Sequence, residues 1–190
     1  GGEFDATNLV PKPALTAITA IGIDHVQFLG PTLDQIAKAK AGIIKDGVPC
    51  VVGPQPDEAM AVIEARAAER KAPLLRHGQE WRVTEGGDCI VWEDRSAAYR
   101  LPRPALPGPH QIVNAGAAIA CARALEGFNF PEAALAAGLH QVEWPARLQR
   151  LRRGPLIDLL PPDAELWLDG AHNAMAGEAL AEVGEVEAAL

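Results

Sequence analysis

Two short, uncharged, β-branched runs, each followed by a helix with recognisable ends, constrain this chain more than any other feature. Leu15-Thr-Ala-Ile-Thr-Ala-Ile-Gly-Ile23 reads as a buried strand that ends at Asp24-His25. After a loop carrying Gly30 and Pro31, Thr32-Leu-Asp-Gln35 has the spacing of a capping box. The helix it opens should run to about Ala41 and stop at Gly42. Val48 to Val52 is a second buried strand, closed by Gly53-Pro54, and Asp57 to Arg70 reads as an exposed amphipathic helix. Strand, helix, strand, helix in this order implies a parallel α/β sheet.

Beyond Pro73 the texture changes. Glu80 to Glu85, Cys89 to Glu93 and Ala97 to Leu101 are short alternating runs separated by Gly86-Gly87 and Asp94-Arg-Ser96, the pattern of antiparallel strands with one face exposed. A proline-rich stretch, Pro102 to Pro109, precedes an alanine-rich helix over Gln111 to Leu125 and another helix over Pro131 to Leu139. Glu143-Trp-Pro-Ala-Arg147 reads as a connector, with a domain boundary near Trp144-Pro145. Leu156 to Leu160 and Glu165 to Asp169 are expected strands, and a helix follows from about Asn173.

A formal net charge of −8 repels phosphate backbones and anionic lipid, which argues against nucleic acid or membrane surfaces as partners. It leaves room for a compact anion held by a local basic site. Cys50, Cys89 and Cys121 are widely spaced with no CxxC pair, so free thiols in a reducing compartment are the simplest account. Leu15 to Ile23 is too short to span a bilayer, and no signal segment opens the chain. A cytoplasmic location is the expectation. The sequence begins at Gly1-Gly2 rather than Met and closes on Leu190 inside a helix-like pattern, so both ends are expected to be cut.

Five constellations carry chemistry, and each has a plain alternative. Asp24-His25 falls at the carboxyl end of a strand, where open α/β sheets bind ligands; a neutral imidazole there can ligate a metal or carry a proton, or merely cap a turn. Lys40 shares a helix face with Leu33, Ile36 and Ala37, whereas Lys38 points elsewhere. An amine turned toward a core is easily made neutral and nucleophilic, able to attack an electrophile or take up carbon dioxide as a carbamate. Position alone favours the plainer alternative, in which its stem snorkels from the last turn. Asp169-Gly-Ala-His-Asn173 offers a carboxylate for ribose hydroxyls or a phosphate-bound metal, although Asp-Gly is also an ordinary turn. Within His110-Gln-Ile-Val-Asn114, an amide can meet a nucleobase edge or cap the helix. Arg147 has a fork suited to phosphate oxygens, or is simply a linker arginine.

Taken in order, these elements form a pattern. Asp5-Ala-Thr-Asn8, Asp24-His25 with Leu29-Gly30, Thr32-Leu33 with Ile36-Ala37, Lys40-Ala-Gly-Ile43, His110-Gln111 with Asn114-Ala115, Pro145-Ala-Arg147-Leu-Gln149 and Asp169-Gly-Ala-His-Asn173 together resemble the dihydrofolate synthase/folylpolyglutamate synthase family, a branch of the Mur ligase superfamily. The resemblance runs from residue 1 to about 175. It implies the later part of a Mur-ligase-type P-loop ATPase domain with an antiparallel β subregion (1–144), then a connector and the start of a Rossmann-like C-terminal domain (145–190).

The resemblance also implies a reaction: an ATP-dependent ligase that joins dihydropteroate or a reduced folate to L-glutamate through an acyl phosphate, with ATP and Mg2+ as cofactors. By motif, His25 would ligate magnesium, and Lys40, carbamylated, would help place a second metal and serve with His25 in catalysis. Asn114 would contact adenine, Arg147 phosphate and Asp169 the ribose side of ATP, while Asp5, Ala6 and Thr7 would line the pterin site. His172 matches the motif without an assigned role.

The departures are specific. A glycine-rich phosphate loop ending Gly-Lys-Ser/Thr and a magnesium-binding glutamate are expected upstream of residue 1. Glu3 stands where an arginine is usual, Ala39 replaces a common glutamate and Ala174 a common proline. The chain alone is therefore expected not to turn over ATP. Two other readings are a Mur-type ligase acting on a peptidoglycan precursor and a non-catalytic nucleotide-binding remnant; the Asp-Ala-Thr-Asn opening and the run from Asp24 to Ile43 favour the folate branch.

Overall fold

The computed structural model describes residues 2–188, and the alternation of the first seventy residues folds as a parallel sheet. In chain order the elements are β1 (Thr16–Ile18), α1 (Val26–Leu29), α2 (Leu33–Ala41), β2 (Cys50–Val52), α3 (Asp57–Glu69) and β3 (Leu74–Arg76). The strands lie in the order β1-β2-β3, all parallel, with Cys50 opposite both Thr16 and Leu74. The sequence reading missed β3, whose Leu-Leu-Arg is too short to show a period.

The middle strand explains why this sheet has two covered faces. Cys50, Val51 and Val52 have 0% exposure, and successive side chains of a strand point to opposite sides. Cys50 and Val52 join a core made with Ile18, Ile36 of α2 and Ile63 of α3; Val51 joins a second core on the other side. Full burial of such a side chain stabilises by about 1.5–3 kcal/mol.

α2 begins as the capping box predicts. Gln35 N–H donates to Thr32 Oγ1 at 3.3 Å, and Thr32 N–H donates to Gln35 Oε1 at 3.4 Å. It also stops at Gly42, but with φ −59°, not in the left-handed form a glycine stop usually adopts. Close approach is the reason for glycine here. A Cβ at this position would lie 2.7 Å from Glu3 Cα, because the N-terminal segment crosses the helix end, and Glu3 N–H donates to Ala39 O at 2.9 Å.

The second layer is antiparallel as expected: β4 (Trp81–Glu85), β5 (Cys89–Asp94) and β6 (Ala98–Pro102), with Val83 opposite Trp92 and Trp92 opposite Tyr99. Trp81, Val83, Ile90 and Trp92 turn inward against α4 (Pro109–Ala124), followed by α5 (Glu132–Gln141). The small residues of α4 permit close packing. Trp92 Nε1 donates to Gly116 O at 3.0 Å, and a Cβ on Gly116 would stand 2.9 Å from the Trp81 ring. At the end of α4, the Arg123 guanidinium donates to Asp94 at 2.8 Å and lies within 5.4 Å of the Trp92 and Tyr99 ring centres.

The last part corrects one expectation. Leu156 to Leu160 is not a strand: Ile157–Leu159 form a 3-10 turn, with Leu156 and Leu159 exposed. Pro155 before it and Pro161-Pro162 after it lack the N–H groups a ladder needs. The expected strand near Glu165 is present as β8 (Leu166–Leu168), but its partner is β7 (Gln149–Leu151), which continues directly from the connector, and the pair is antiparallel. α6 (Ala174–Ala188) follows, capped by Asn173, whose Oδ1 accepts from Ala176 N–H at 2.8 Å. Among the described residues no helix is long and apolar enough to cross a membrane.

Candidate functional site

The chain leaves β1 at the carboxyl edge of the parallel sheet and forms an irregular loop toward Asp24 and His25. Gln55, which follows β2, holds that loop: its Nε2 donates to Thr19 O at 2.8 Å and its Oε1 accepts from Ile21 N–H at 3.1 Å. Nothing in the local sequence marks Gln55, since its partners are backbone groups more than thirty residues away. His25 then takes a left-handed conformation, φ 49°, and its N–H donates to Asp24 Oδ1 at 2.8 Å.

Two cavities of about 320 Å3 each open beside this loop. The first is lined by Asp5, His25, Phe28, Ala39 and Lys40. The sequence placed Lys40 on the buried side of α2 and Lys38 outside it. Lys40 is indeed half-buried at the cavity wall, and its ammonium has no ion-pair partner among the described residues, whereas Lys38 is exposed and pairs with Asp34 at 2.9 Å. Asp5 is fixed from within its own turn. The Thr7 hydroxyl donates to Asp5 Oδ1 at 2.5 Å and Thr7 N–H donates to the same oxygen at 2.8 Å, and together they hold the Asp5 pKa down at about 2. Ala6 and Thr7 stand beside this cavity on the 3-10 turn Ala6–Leu9 rather than lining it.

The second cavity brings together residues distant in sequence: Asn114 from α4, Arg147 from the connector, and Asp169 and His172 from the turns after β8. Buried Gln111 organises its α4 side. Asn114 Nδ2 donates to Gln111 Oε1 at 3.1 Å, while Gln111 Nε2 lies 3.1 Å from His110 Nε2. Asp169 accepts from two backbone amides, Leu148 N–H at 2.7 Å and Ala171 N–H at 2.6 Å. It thereby ties the connector, left-handed at Ala146 and Leu148, to the Asp-Gly turn. Arg147 is exposed, with no carboxylate partner among the described residues, and lies over Gly170; a Cβ there would be 2.7 Å from its Nη1. The outcome is a guanidinium that no described carboxylate compensates and an amide, both facing one cleft.

A contact between the two parts of the chain joins the cavities. Asn173 Nδ2 donates to Asp24 Oδ2 at 2.9 Å, across 149 positions, and this hydrogen bond is the chief reason the Asp24 carboxyl titrates below its ordinary range. It also sets the His172 ring 5.9 Å from that of His25. Sequence reasoning identified Asn173 only as a helix cap and left His172 without a role, because neither contact has a local signature.

The residues present can accommodate magnesium. That ion keeps several waters and takes oxygen donors from a few carboxylates and from substrate phosphates. His25 and Lys40 share one cavity wall, and carboxylation of the unpaired amine would supply oxygen donors there.

With a doubly covered parallel sheet, an antiparallel subregion beside it and a cleft lined in part by the connector, the chain has an α/β fold of the Mur-ligase class, as its match to solved structures of that class shows. No family model matches the sequence. The dihydrofolate synthase/folylpolyglutamate synthase of Bacillus subtilis is 36% identical over 190 residues, an overlap of 96% of this chain and 42% of that protein. An FPGS–AMPPCP–folate complex superposes with a TM-score of 0.82 at 30% identity, covering 97% of this chain and 45% of that one. E. coli FolC in complex with DHPP and ADP gives 0.80 at 32% identity, covering 99% and 41%. The chain belongs to the dihydrofolate synthase/folylpolyglutamate synthase family and spans less than half the length of these relatives.

Proposed function

We propose that the chain contributes the nucleotide-facing cleft and the Lys40 cavity of an ATP-dependent ligase that attaches L-glutamate to dihydropteroate or to a folate. Residues 1–144 would belong to its central ATP-binding domain and 145–190 to the connector and the beginning of a Rossmann-like domain. The observation that carries this reading is the convergence of Asn114, Arg147 and Asp169 on one cleft, linked through Asn173 and Asp24 to the cavity of His25 and Lys40.

In this reading the substrate carboxylate attacks the γ-phosphorus of ATP, forming an acyl phosphate and releasing ADP. The glutamate amine then adds to the acyl carbon, loses a proton, and the tetrahedral adduct expels inorganic phosphate to leave an amide. Asn114 presents a donor and an acceptor to the adenine edge. Arg147, which donates one hydrogen bond to Ala146 O and meets no carboxylate among the described residues, offers its remaining N–H groups to phosphate oxygens. Asp169, with both oxygens engaged by backbone amides, holds Arg147 in place and keeps lone pairs for a ribose hydroxyl. Mg2+, held by His25 and by Lys40 as its carbamate, would supply charge neutralisation at the phosphoryl oxygens. Asp5, with Ala6 and Thr7 beside it, would meet the pterin. Held ionised by Thr7, Asp5 can accept hydrogen bonds from the N–H groups of such a ring.

The test is glutamate incorporation by the whole protein carrying this chain, with ATP, Mg2+ and labelled L-glutamate. Dihydropteroate, a reduced folate and a nucleotide-linked muramyl peptide serve as alternative acceptors. Turnover is expected with the pterin acceptors and not with the muramyl peptide. Lys40→Ala should lower kcat by on the order of 100-fold or more, and Asn114→Ala should act chiefly on the KM for ATP. Full activity of the Lys40→Ala protein, or turnover of the muramyl peptide alone, would overturn the proposal.

A further inference from the structure

The parallel ladder between β1 and β2 ends where Gly53 N–H donates to Ile18 O at 2.9 Å. Backbone pairing beyond it is limited by chemistry: Pro54 and Pro56 have no N–H to donate, and Pro56 restricts Gln55 before it to extended backbone. Gln55 carries the pairing on with its side chain. Its Nε2 donates to Thr19 O at 2.8 Å and its Oε1 accepts from Ile21 N–H at 3.1 Å. These two groups flank Ala20, and in a regular parallel sheet a single residue of the neighbouring strand would bond both. A carboxamide offers the same donor and acceptor as the backbone, so one side chain stands in for a strand that is not there.

The loop held in this way serves both cavities. Thr19 and Ala20 line the cleft of Asn114, Arg147 and Asp169, and farther along the same loop His25 lines the cavity of Lys40. Between them the loop meets the later part of the chain twice. A Cβ on Gly22 would lie 2.9 Å from Met175 Sδ of α6, and Asp24 Oδ2 accepts from Asn173 Nδ2 at 2.9 Å. Gln55 itself lines neither cavity. We propose that Gln55 is a positioning residue for nucleotide binding: its carboxamide replaces the missing strand partner and sets Thr19 and Ala20 as one wall of the cleft. The role rests on the reading of that cleft as nucleotide-facing, and Gln55 acts only through the loop. Without the carboxamide, Thr19 O and Ile21 N–H lose their partner together, and the wall is no longer fixed relative to Asn114 and Arg147.

The experiment is calorimetric titration of the whole protein carrying this chain with AMPPCP and Mg2+, with circular dichroism as the control for folding. Gln55→Met keeps the length of the side chain and removes both hydrogen bonds. It should weaken AMPPCP binding by about 10-fold, the scale of two ordinary hydrogen bonds. Gln55→Glu separates positioning from simple loosening. As a carboxylate it still accepts from Ile21 N–H but sets a second acceptor against Thr19 O, so binding should be weakened at pH 7.5. Once protonated it has an O–H for Thr19 O and an oxygen for Ile21 N–H, the two functions of the carboxamide. Its penalty, read against the unaltered protein at each pH, should therefore shrink severalfold toward about pH 5, near the ordinary glutamate range. A side chain that merely fills space gives no such rescue. AMPPCP binding without glutamate transfer to any pterin acceptor would overturn the ligase reading and leave this one standing. Undiminished binding by Gln55→Met, or a Gln55→Glu penalty that acid leaves unchanged, would overturn this inference alone, and failure of the unaltered protein to bind AMPPCP would overturn both.

Discussion

At the residue scale, what decides chemistry here is whether a charged group is already satisfied. Among the described residues Arg147 and Lys40 are cations without carboxylate partners, while Asp5, Asp24 and Asp169 are carboxylates held by hydrogen bonds. Asp5 is the cleanest case. With Thr7 donating twice, its folded pKa of about 2 lies below the ordinary 3.8, so the contribution to stability is fully present above about pH 4 and is lost as pH falls toward 2. Replacing Thr7 by Val removes the hydroxyl, the largest of the causes that lower the Asp5 pKa, and keeps the shape. The Asp5 pKa should rise toward its ordinary value in a carbon-detected NMR titration; an unmoved titration would show that the hydroxyl is not what holds the carboxylate. Lys40 shows how far a residue can be read from its sequence. Helical spacing placed its stem on the apolar face, and the structure agrees, but its lack of an ion-pair partner depends on which acids other segments bring near, which spacing cannot give.

At the scale of elements, the contact between α4 and the antiparallel sheet depends on one small residue. Gly→Ala inside a helix ordinarily stabilises by about 1 kcal/mol through propensity. At Gly116 the new methyl would press on Val83 and on the Trp81 ring, so overpacking should reverse the sign and destabilise by about 1–3 kcal/mol. At Gly138 in α5 nothing lies within 4 Å of a built Cβ, so the same substitution should stabilise by up to about 1 kcal/mol. Opposite shifts in urea midpoint for Gly116→Ala and Gly138→Ala are the expected result; equal shifts would mean that propensity alone governs both. Elements with strong local rules were legible in the sequence: the capping box of α2, the three alternating strands, and the alanine-rich α4. Those set by pairing were not. β3 exists because β2 offers it a parallel edge, and β7 pairs with β8 although Leu156 to Leu160 has the more strand-like composition, because the prolines around that run remove its donors. The stop at Gly42 was placed correctly for a reason invisible in the sequence, the crossing of Glu3.

For the whole molecule, the question is what holds the segment from the connector onward against the parallel layer. The motifs on each side were legible one by one, yet only the fold shows that the histidine and the asparagine of Asp-Gly-Ala-His-Asn reach His25 and Asp24. Asn173 performs two tasks that substitution can separate: its Oδ1 caps α6 and its Nδ2 holds Asp24. Asn173→Asp keeps a good cap, since a carboxylate accepts the same N–H, but sets an anion against Asp24. Asn173→Ala loses both, at a cost of about 0.5–2 kcal/mol for the cap alone. The Asp variant should therefore retain α6 while releasing the segment. Amide exchange in α6 should stay near that of the unaltered chain, exchange in the turns around Asp169 and His172 should quicken, and the Asp24 pKa should rise because its chief depressing contact has become a repulsion. The depressed carboxyl stabilises the closed arrangement above its ordinary pKa and ceases to do so as pH falls through the folded value, so acid should loosen the same turns in the unaltered chain. If the Asp variant instead protects those turns as asparagine does, the two halves are held by the backbone ties of Asp169 and not by the link from Asn173 to Asp24.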